Sequence, residues 1–197
     1  TGYISMAFDS NNANKFVVAY SDAGNSDYGT AIVGTVSGTS LSFGTAVVFE
    51  SAQSINVDMD FDPNNANKFV VVYRDGGNAN YGTAIIGTVS GTSISFGSAV
   101  LFSSADTGYM SMDFDPNNAN KFVVAYQNTT NSSYGTAVVG TVSGTSLSFG
   151  SASVFESAST TFISTAFDPT NAGQFVVAYR GTSTYGTAIA GQIEATV

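Results

Sequence analysis

The side chains able to do chemistry in this sequence are carboxylates and phenols. Its 197 residues hold 14 Asp+Glu, 5 Lys+Arg and 10 Tyr, with no Cys, His or Trp. No thiolate nucleophile, imidazole base, disulfide or nitrogen/sulfur zinc site can be made from that set. Three aspartates stand apart by position: Asp58, Asp60 and Asp113 fall on segments whose other copies carry Ser or Ala. Carboxylates gathered around one channel repel unless a hard cation such as Ca²⁺ sits among them. They are therefore the candidate metal ligands, and Ca²⁺ the cofactor they point to; the alternative is hydrogen bonding to neighbouring backbone or contact with solvent. The second set is aromatic. Tyr3, Tyr109 and Phe162 open three equivalent segments, where Asn56 stands in the fourth. Such rings are platforms for stacking a sugar, and Arg74 and Arg180 are the cations on neighbouring loops. A two-carboxylate glycosidase would need an acid and a second carboxylate at a set separation. The glutamates are Glu50, Glu156 and Glu194, and the first two share one repeat position, which reads as structural.

Charge narrows the partners. The formal net charge of -9 makes nucleic acid and anionic membrane surfaces poor partners. With 43% hydrophobic and only 10% charged residues, the chain is not a disordered acidic tail. No apolar run reaches the roughly 18 residues of a membrane span, so no membrane insertion is expected. A missing initial Met and the lack of a signal-peptide pattern read as a processed product or a fragment.

Those residues are positioned by a repeat. Phe8-Asp9 returns as Phe61-Asp62, Phe114-Asp115 and Phe167-Asp168, each 53 residues on. Tyr28-Gly29-Thr30 returns at Tyr81, Tyr134 and Tyr185. The repeats run 1–53, 54–106, 107–159 and 160–197, forming one domain over 1–197. Periodicity within a unit predicts four strands: Ile4 to Phe8, Phe16 to Tyr20, Thr30 to Val36, and Leu41 to Phe49 bent at Gly44. Asp-Pro-Asn-Asn-Ala-Asn runs such as Asp62 to Asn67 are turns, because Asp and Asn cap their own backbone and tolerate left-handed φ. A four-stranded unit of this length cannot cover its own two faces. Stacked around an axis, such units make an all-β, four-bladed β-propeller whose last blade lacks its outer strand. A tandem sandwich and a β-prism are the other arrangements.

The run Ile4-Ser-Met-Ala-Phe-Asp9, then Asn14-Lys-Phe-Val-Val-Ala-Tyr20, then Tyr28-Gly-Thr-Ala31 resembles propeller repeats of secreted and surface proteins. It is similar to repeats of large marine bacterial and phage-borne proteins. Ser21 to Tyr28 resembles the Asp-box of sialidase-like propellers, with one residue too many before the aromatic and no Asp in the third and fourth copies. A sialidase-like site, on that resemblance, would want three arginines, and only Arg74 and Arg180 exist.

Copy-to-copy differences concentrate in the second-to-third-strand loops (Ser21 to Asp27, Arg74 to Asn80, Gln127 to Ser133, Arg180 to Thr184) and in the segments joining one repeat to the next. Rigid scaffolds carry function on such loops; drift after duplication is the competing account. Eight tyrosines flank those loops, as Tyr20/Tyr28, Tyr73/Tyr81, Tyr126/Tyr134 and Tyr179/Tyr185, and are expected to pair across strands. Asn128 and Asn131 open two glycosylation sequons. The expectation is a non-enzymatic recognition or adhesion module, outside the cell or on a virion or cell surface, binding glycans or surface polymers. The alternatives are a structural self-assembling unit and a glycosidase-like propeller. A ring closed within four repeats, self-associating as a homo-oligomer through sheet edges, is expected from the missing outer strand.

Overall fold

The computed structural model describes residues 2–182 and 185–193. Its strands, all antiparallel to their partners, follow the repeat. In the first repeat they are β1 (Gly2–Phe8), β2 (Lys15–Asp22), β3 (Tyr28–Ser37), β4 (Ser40–Phe43) and the start of β5 (Val47–Phe61). In the second they are the rest of β5, β6 (Lys68–Asp75), β7 (Tyr81–Ser90), β8 (Ser93–Phe96) and the start of β9 (Val100–Phe114). The third has the rest of β9, β10 (Lys121–Asn128), β11 (Tyr134–Ser143), β12 (Ser146–Phe149) and β13 (Ser153–Ser159). The fourth has β14 (Thr161–Phe167), β15 (Gln174–Arg180) and β16 (Gly186–Gln192), a separate three-stranded sheet among the described residues.

The outer strand is broken where a bend was expected. β3 pairs with β4 and then with the start of β5, and between them Gly44 donates its N–H to the Val33 carbonyl at 2.9 Å. The links between repeats differ from expectation. They are not loops. β5 pairs with β3 from Val47 to Gln53 and then with β6 from Ser54 to Phe61, and β9 does the same one repeat on. The segment Ser51 to Val57 holds no Gly, Pro or Asp turn, so the chain stays extended as it crosses between strand groups. Thirteen strands thereby join into one hydrogen-bonded sheet, with β4, β8 and β13 branching from a continuous path of the other ten.

Each strand group buries two unlike faces. Val17, Ala19, Ala31 and Val33 of the first meet Met59, Phe61, Phe69, Val71 and Tyr73 of the second. Val70, Val72, Ala84 and Ile86 of the second meet Met112, Phe114, Phe122, Val124 and Tyr126 of the third. Val123 and Ala125 of the third meet Phe167, Phe175, Val177 and Tyr179 of the fourth. A face of small and β-branched side chains thus receives a bulky aromatic face at every joint. The second strand is apolar at every position because both its faces are covered, as its sequence implied.

One glycine per repeat makes the bulky face possible. Phe16, Phe69, Phe122 and Phe175 lie directly across from Gly34, Gly87, Gly140 and Gly191. A Cβ at Gly87 would stand 2.1 Å from the Phe69 ring, so the ring rests on bare backbone.

The tyrosines do not pair across strands. Tyr73 faces Thr83 and Tyr81 faces Asp75, because the two tyrosines are offset by two positions. Tyr73, Tyr126 and Tyr179 instead stack on Phe49, Phe102 and Phe155 of the preceding repeat, with ring centroids 5.2 Å apart. Tyr73 and Tyr179 then donate to Glu50 and Glu156 at 3.2 and 2.9 Å, which fits the structural reading of those glutamates. Glu194 lies outside the described residues.

The ring does not close within four repeats. Inner strand β1 packs beside β5, β5 beside β9 and β9 beside β14, but among the described residues β14 and β1 share no packed interface. The reason is visible in the exposures. Ile4, Met6 and Phe8 are 62%, 52% and 54% exposed, whereas Met59 and Phe61, one repeat on, are 4% and 3% exposed. Val176 is 46% exposed although its counterpart Val123 is fully buried. The first group has much of its bulky face bare, with Phe16 buried under its own repeat, and the fourth has its small face bare.

Replacing Gly87 with Ala pushes the Phe69 ring out of its seat in the first joint. We expect urea denaturation to show a loss of about 1–3 kcal/mol, typical of overpacking, with Gly91→Asn, at an open turn with φ +64°, changing stability much less.

Candidate functional site

The inner strands carry two kinds of special residue, a row of hydrogen-bonding side chains and a row of bulges.

The row runs from strand to strand with a constant offset of 54 residues. Ser5 Oγ accepts the Met59 N–H at 3.2 Å, and Ser111 Oγ accepts the Thr165 N–H at 3.1 Å. Asp58 accepts the Ser5 hydroxyl at 2.7 Å, its neighbour Met59 N–H at 2.9 Å and the Met112 N–H at 2.9 Å, so it ties β1, β5 and β9 together. Asp60 accepts from Phe61 at 2.8 Å and from Phe114 at 3.4 Å. Asp113 accepts from Phe167 at 2.6 Å. N–H donors offset part of the repulsion that called for a cation, while Asp113 still acts on Asp60, and among the described residues no group of three or more His, Cys, Asp or Glu side chains converges as a metal cage. The three aspartates are tie residues.

Burial still disfavours their charge. It pushes Asp58 above the ordinary carboxylate value despite the donors. Asp60 is raised from 3.8 to about 7, by burial first and then by the charge of Asp113. Asp113 is raised as well, chiefly by burial.

The bulges lie at the start of each inner strand. Register slips between Gly2 and Ile4, between Ile55 and Asp58, across Gly108 to Ser111, and between Thr161 and Ser164. At each slip one residue takes positive φ: Tyr3 (46°), Asn56 (51°), Tyr109 (37°) and Phe162 (52°). A bulge re-aims its side chain, and here it turns aromatic rings outward: Tyr3 is 52%, Tyr109 40% and Phe162 63% exposed. The Tyr109 and Phe162 rings sit 5.2 Å apart, and the Arg180 guanidinium lies 5.9 Å from the Phe162 centroid. A cavity of about 370 Å³ opens beside them, lined by Ser5, Asn56, Asp58, Tyr109, Ser111 and Phe162 among others.

The candidate residues therefore divide. Tyr109, Phe162 and Arg180 come together, with Asp58 at the same cavity. Tyr3 occupies the equivalent bulge on β1, whose Ile4 and Ser5 line the cavity although Tyr3 itself does not. Arg74 does not join them: its Nε and Nη2 hold Asp106 at 2.9 and 3.2 Å. Asn56, Ser5 and Ser111 belong to the cavity and were missed as a set. The signal was their shared spacing with the tyrosines, which the strained bulge turns into shared direction.

The diverging loops flank these bulges. Inner-strand residues Gly2, Ser54, Thr107 and Thr161 pair with Ser21, Asp75, Asn128 and Arg180 at the loop bases. The loops are held by main chain. Asp27, Asn80 and Ser133 offer their carbonyls to the N–H groups of Ser54, Thr107 and Thr160 at 2.9, 3.1 and 3.0 Å. Side chains there can differ between copies without loss of the anchor. Residues 183–184 of the fourth loop lie outside the described residues. In the third loop Asn128 Oδ1 is engaged by Thr130 and the Asn131 N–H, while Asn131 is exposed.

The opposite end is uniform for a reason. Asn12 and Asn65 donate to Asn67 and Asn120 of the next repeat at 2.9 and 2.8 Å, and Lys15 and Lys68 reach the Gly91 and Gly144 carbonyls. Asp9 and Asp115 accept the N–H of Asn67 and Gly173. These turns are joints.

No protein-family model and no curated protein matches the chain. Among solved structures it is similar to Sqt1 of Chaetomium thermophilum, with TM-score 0.59 and 13% identity over 89% of this chain and 41% of that one. It is similar to the NanB sialidase of Streptococcus pneumoniae, with TM-score 0.62 and 14% identity over 92% and 29% of the two chains. It is also similar to an exo-β-1,3-galactanase of Phanerochaete chrysosporium, with TM-score 0.60 and 12% identity over 91% and 45%. At these identities the likeness is one of fold: the chain has an all-β, propeller-type architecture. It spans less than half the length of each of these proteins.

The raised aspartates set a pH dependence. A carboxyl whose folded value lies above its unfolded value binds its proton more tightly in the native state, so its contribution is full at low pH and fades as pH rises through the folded value. For Asp60 that window runs from about 4 to about 7. The melting temperature is expected to fall by several degrees from pH 5 to pH 8, at roughly 2–4 °C per kcal/mol for a chain of this size. Asp60→Asn should flatten that slope in thermal melts across the same range.

Proposed function

We propose that the chain is a four-bladed segment of a β-propeller, outside the cell or on a virion or cell surface, and that it recognises glycans without chemistry. The observation that carries this reading is the set of exposed rings at the strained bulges of Tyr3, Tyr109 and Phe162. A largely solvent-facing aromatic at positive φ recovers only part of its cost in packing, and a position of that kind costs about 1–3 kcal/mol. Paired rings beside polar Ser5, Asn56 and Ser111 offer what a pyranose needs: an apolar face to stack on and donors and acceptors for its hydroxyls. Arg180 at the rim adds one cation and, among the described residues, makes no ion pair.

Catalysis fits the same groups less well. A glycosidase needs a carboxyl free to pass a proton and a second one free to attack or activate water. Asp58, Asp60 and Asp113 instead accept main-chain N–H groups, and Glu50 and Glu156 accept tyrosine hydroxyls.

A glycan array probed with the purified chain tests this. The double substitution Tyr109→Ala/Phe162→Ala should lower binding at least about 10-fold, two stacking contacts being worth about 0.5–1.5 kcal/mol each beyond their buried area. The far-UV spectrum should stay as it is, since both rings are exposed. Asn117→Ala, on the uniform end, should leave binding intact. No glycan bound, or equal loss from Asn117→Ala, would remove the reading.

A further inference from the structure

The two bare faces at the ends of the chain have the same chemistry as the three joints inside it. We infer that they join to each other between molecules, so that two copies of this chain close one larger ring, the first repeat of each copy seated on the fourth repeat of the other.

The complementarity is residue by residue. Inside the chain, Val123 packs with Phe167 and Phe175, and Ala125 with Val177 and Tyr179. The counterparts of that small face on the fourth repeat are Val176 and Ala178, with Ala190 alongside, all exposed. The counterparts of the bulky face on the first repeat are Phe8, Phe16, Val18 and Tyr20, with Ile4 and Met6 beside them. The small face has room for them. A groove of about 610 Å³ runs over Ala166, Val176 and Ala190, and a second of about 460 Å³ over Ser164, Ala178 and Ala188.

Polar partners match as well. Ser164 occupies the position of Ser5 and Ser111, which accept the N–H of Met59 and Thr165; in the closed joint it would accept the N–H of Met6. Asp168 occupies the position of Asp9 and Asp115, which accept the N–H of Asn67 and Gly173; it would accept that of Asn14. Asn14 already holds the left-handed φ of 67° that Asn67 and Asn120 use in their joints.

Two copies are the smallest number that can close such a ring, since the four repeats of one chain do not close on themselves. The face that receives is unlike the face that inserts, so the contact is heterologous and must close a ring or grow an open chain. Two copies related by a two-fold axis bring both pairs of ends together. The closing joint is softer than those within the chain, because its inner strands carry Ala7 and Ala166 where two of the others carry Asp60 and Asp113. Reversible assembly follows.

Sedimentation velocity and light scattering on the chain, up to about 100 µM, the weak end of specific association, read the result. The expected particle has twice the 20.2 kDa of one chain. Met6→Arg on the bulky face and Ala178→Arg on the small face should each weaken the dimer roughly 100-fold or more, by burying an unpaired cation at the joint. Both sites are exposed in the single chain, so the far-UV spectrum should not change. Mixing the two variants should restore dimers, since each keeps the face the other lacks and one joint of the two is then intact. A monomer throughout the range overturns the proposal. So does a dimer indifferent to both substitutions, or one lost with only one of them, which would be an isologous contact. A ladder of longer oligomers would show that the joint forms but the rotation does not close in two copies, and overturns the two-copy ring.

Discussion

A sheet of about 50 residues with two apolar faces cannot stand alone, and everything else in this molecule answers to that constraint. Each repeat solves half of the problem for its neighbour. The small face of one accepts the Phe, Met and Tyr side chains of the next, and the strand behind each Phe supplies a glycine so that the ring lies flat on backbone. The joint has a direction, since the two faces are unlike. A directional joint repeated along a chain always leaves one face of each kind at the ends. That is why Ile4, Met6 and Phe8 are bare at one end and Val176 at the other, while their counterparts in the interior are buried.

The same constraint separates the two ends of the strands. At the Asn-rich end, side chains do the joining: Asn12 to Asn67, Asn65 to Asn120, Lys15 and Lys68 to the hairpins of the next repeat. A change there breaks a bond between repeats, so the copies agree. At the other end the anchor is main chain to main chain, from Asp27, Asn80 and Ser133 to the crossing strands. Side chains on that end carry fewer of the joining bonds, Arg74 to Asp106 and Gln127 to the Thr160 carbonyl being exceptions, and the copies differ. Divergence by itself does not separate selection from drift. The geometry explains why this end was free to diverge.

Much of this was legible in the residues. The 53-residue period, the four strands of a unit, the break at Gly44 and the structural place of Glu50 and Glu156 all follow from spacing and residue type. Other features depend on relations between repeats, which a one-dimensional pattern does not hold. Tyr20 and Tyr28 look like a cross-strand pair until the register sets Tyr20 against Thr30. The crossing strands look like loops because their sequences differ, yet pairing on both sides of the crossing keeps even Asp106 and Gly108 of β9 extended. Asp58, Asp60 and Asp113 read as unpartnered carboxylates because a list of acids does not show the N–H groups of the next strand. Ring closure depends on the angle between successive sheets, and no residue type encodes that angle.

The bulge positions are where the backbone and the side chains it carries agree least. All four inner strands place a non-glycine residue at positive φ at the same register. Asn tolerates that region because its short polar side chain can bond to nearby backbone, whereas an aromatic ring is strained there. Asn56 is thus the residue the backbone asks for, and the second repeat folds as well with it as its neighbours do without it. Tyr3, Tyr109 and Phe162 meet the same backbone demand at a cost and recover little of it by burial, since they face solvent. The Tyr109–Phe162 contact returns part, at about 0.5–1.5 kcal/mol for a pair at 5.2 Å. That is less than two strained positions cost at about 1–3 kcal/mol each. The remainder is strain stored in the strand starts, and under the proposed glycan-binding function it is offset by contact of these rings with a ligand.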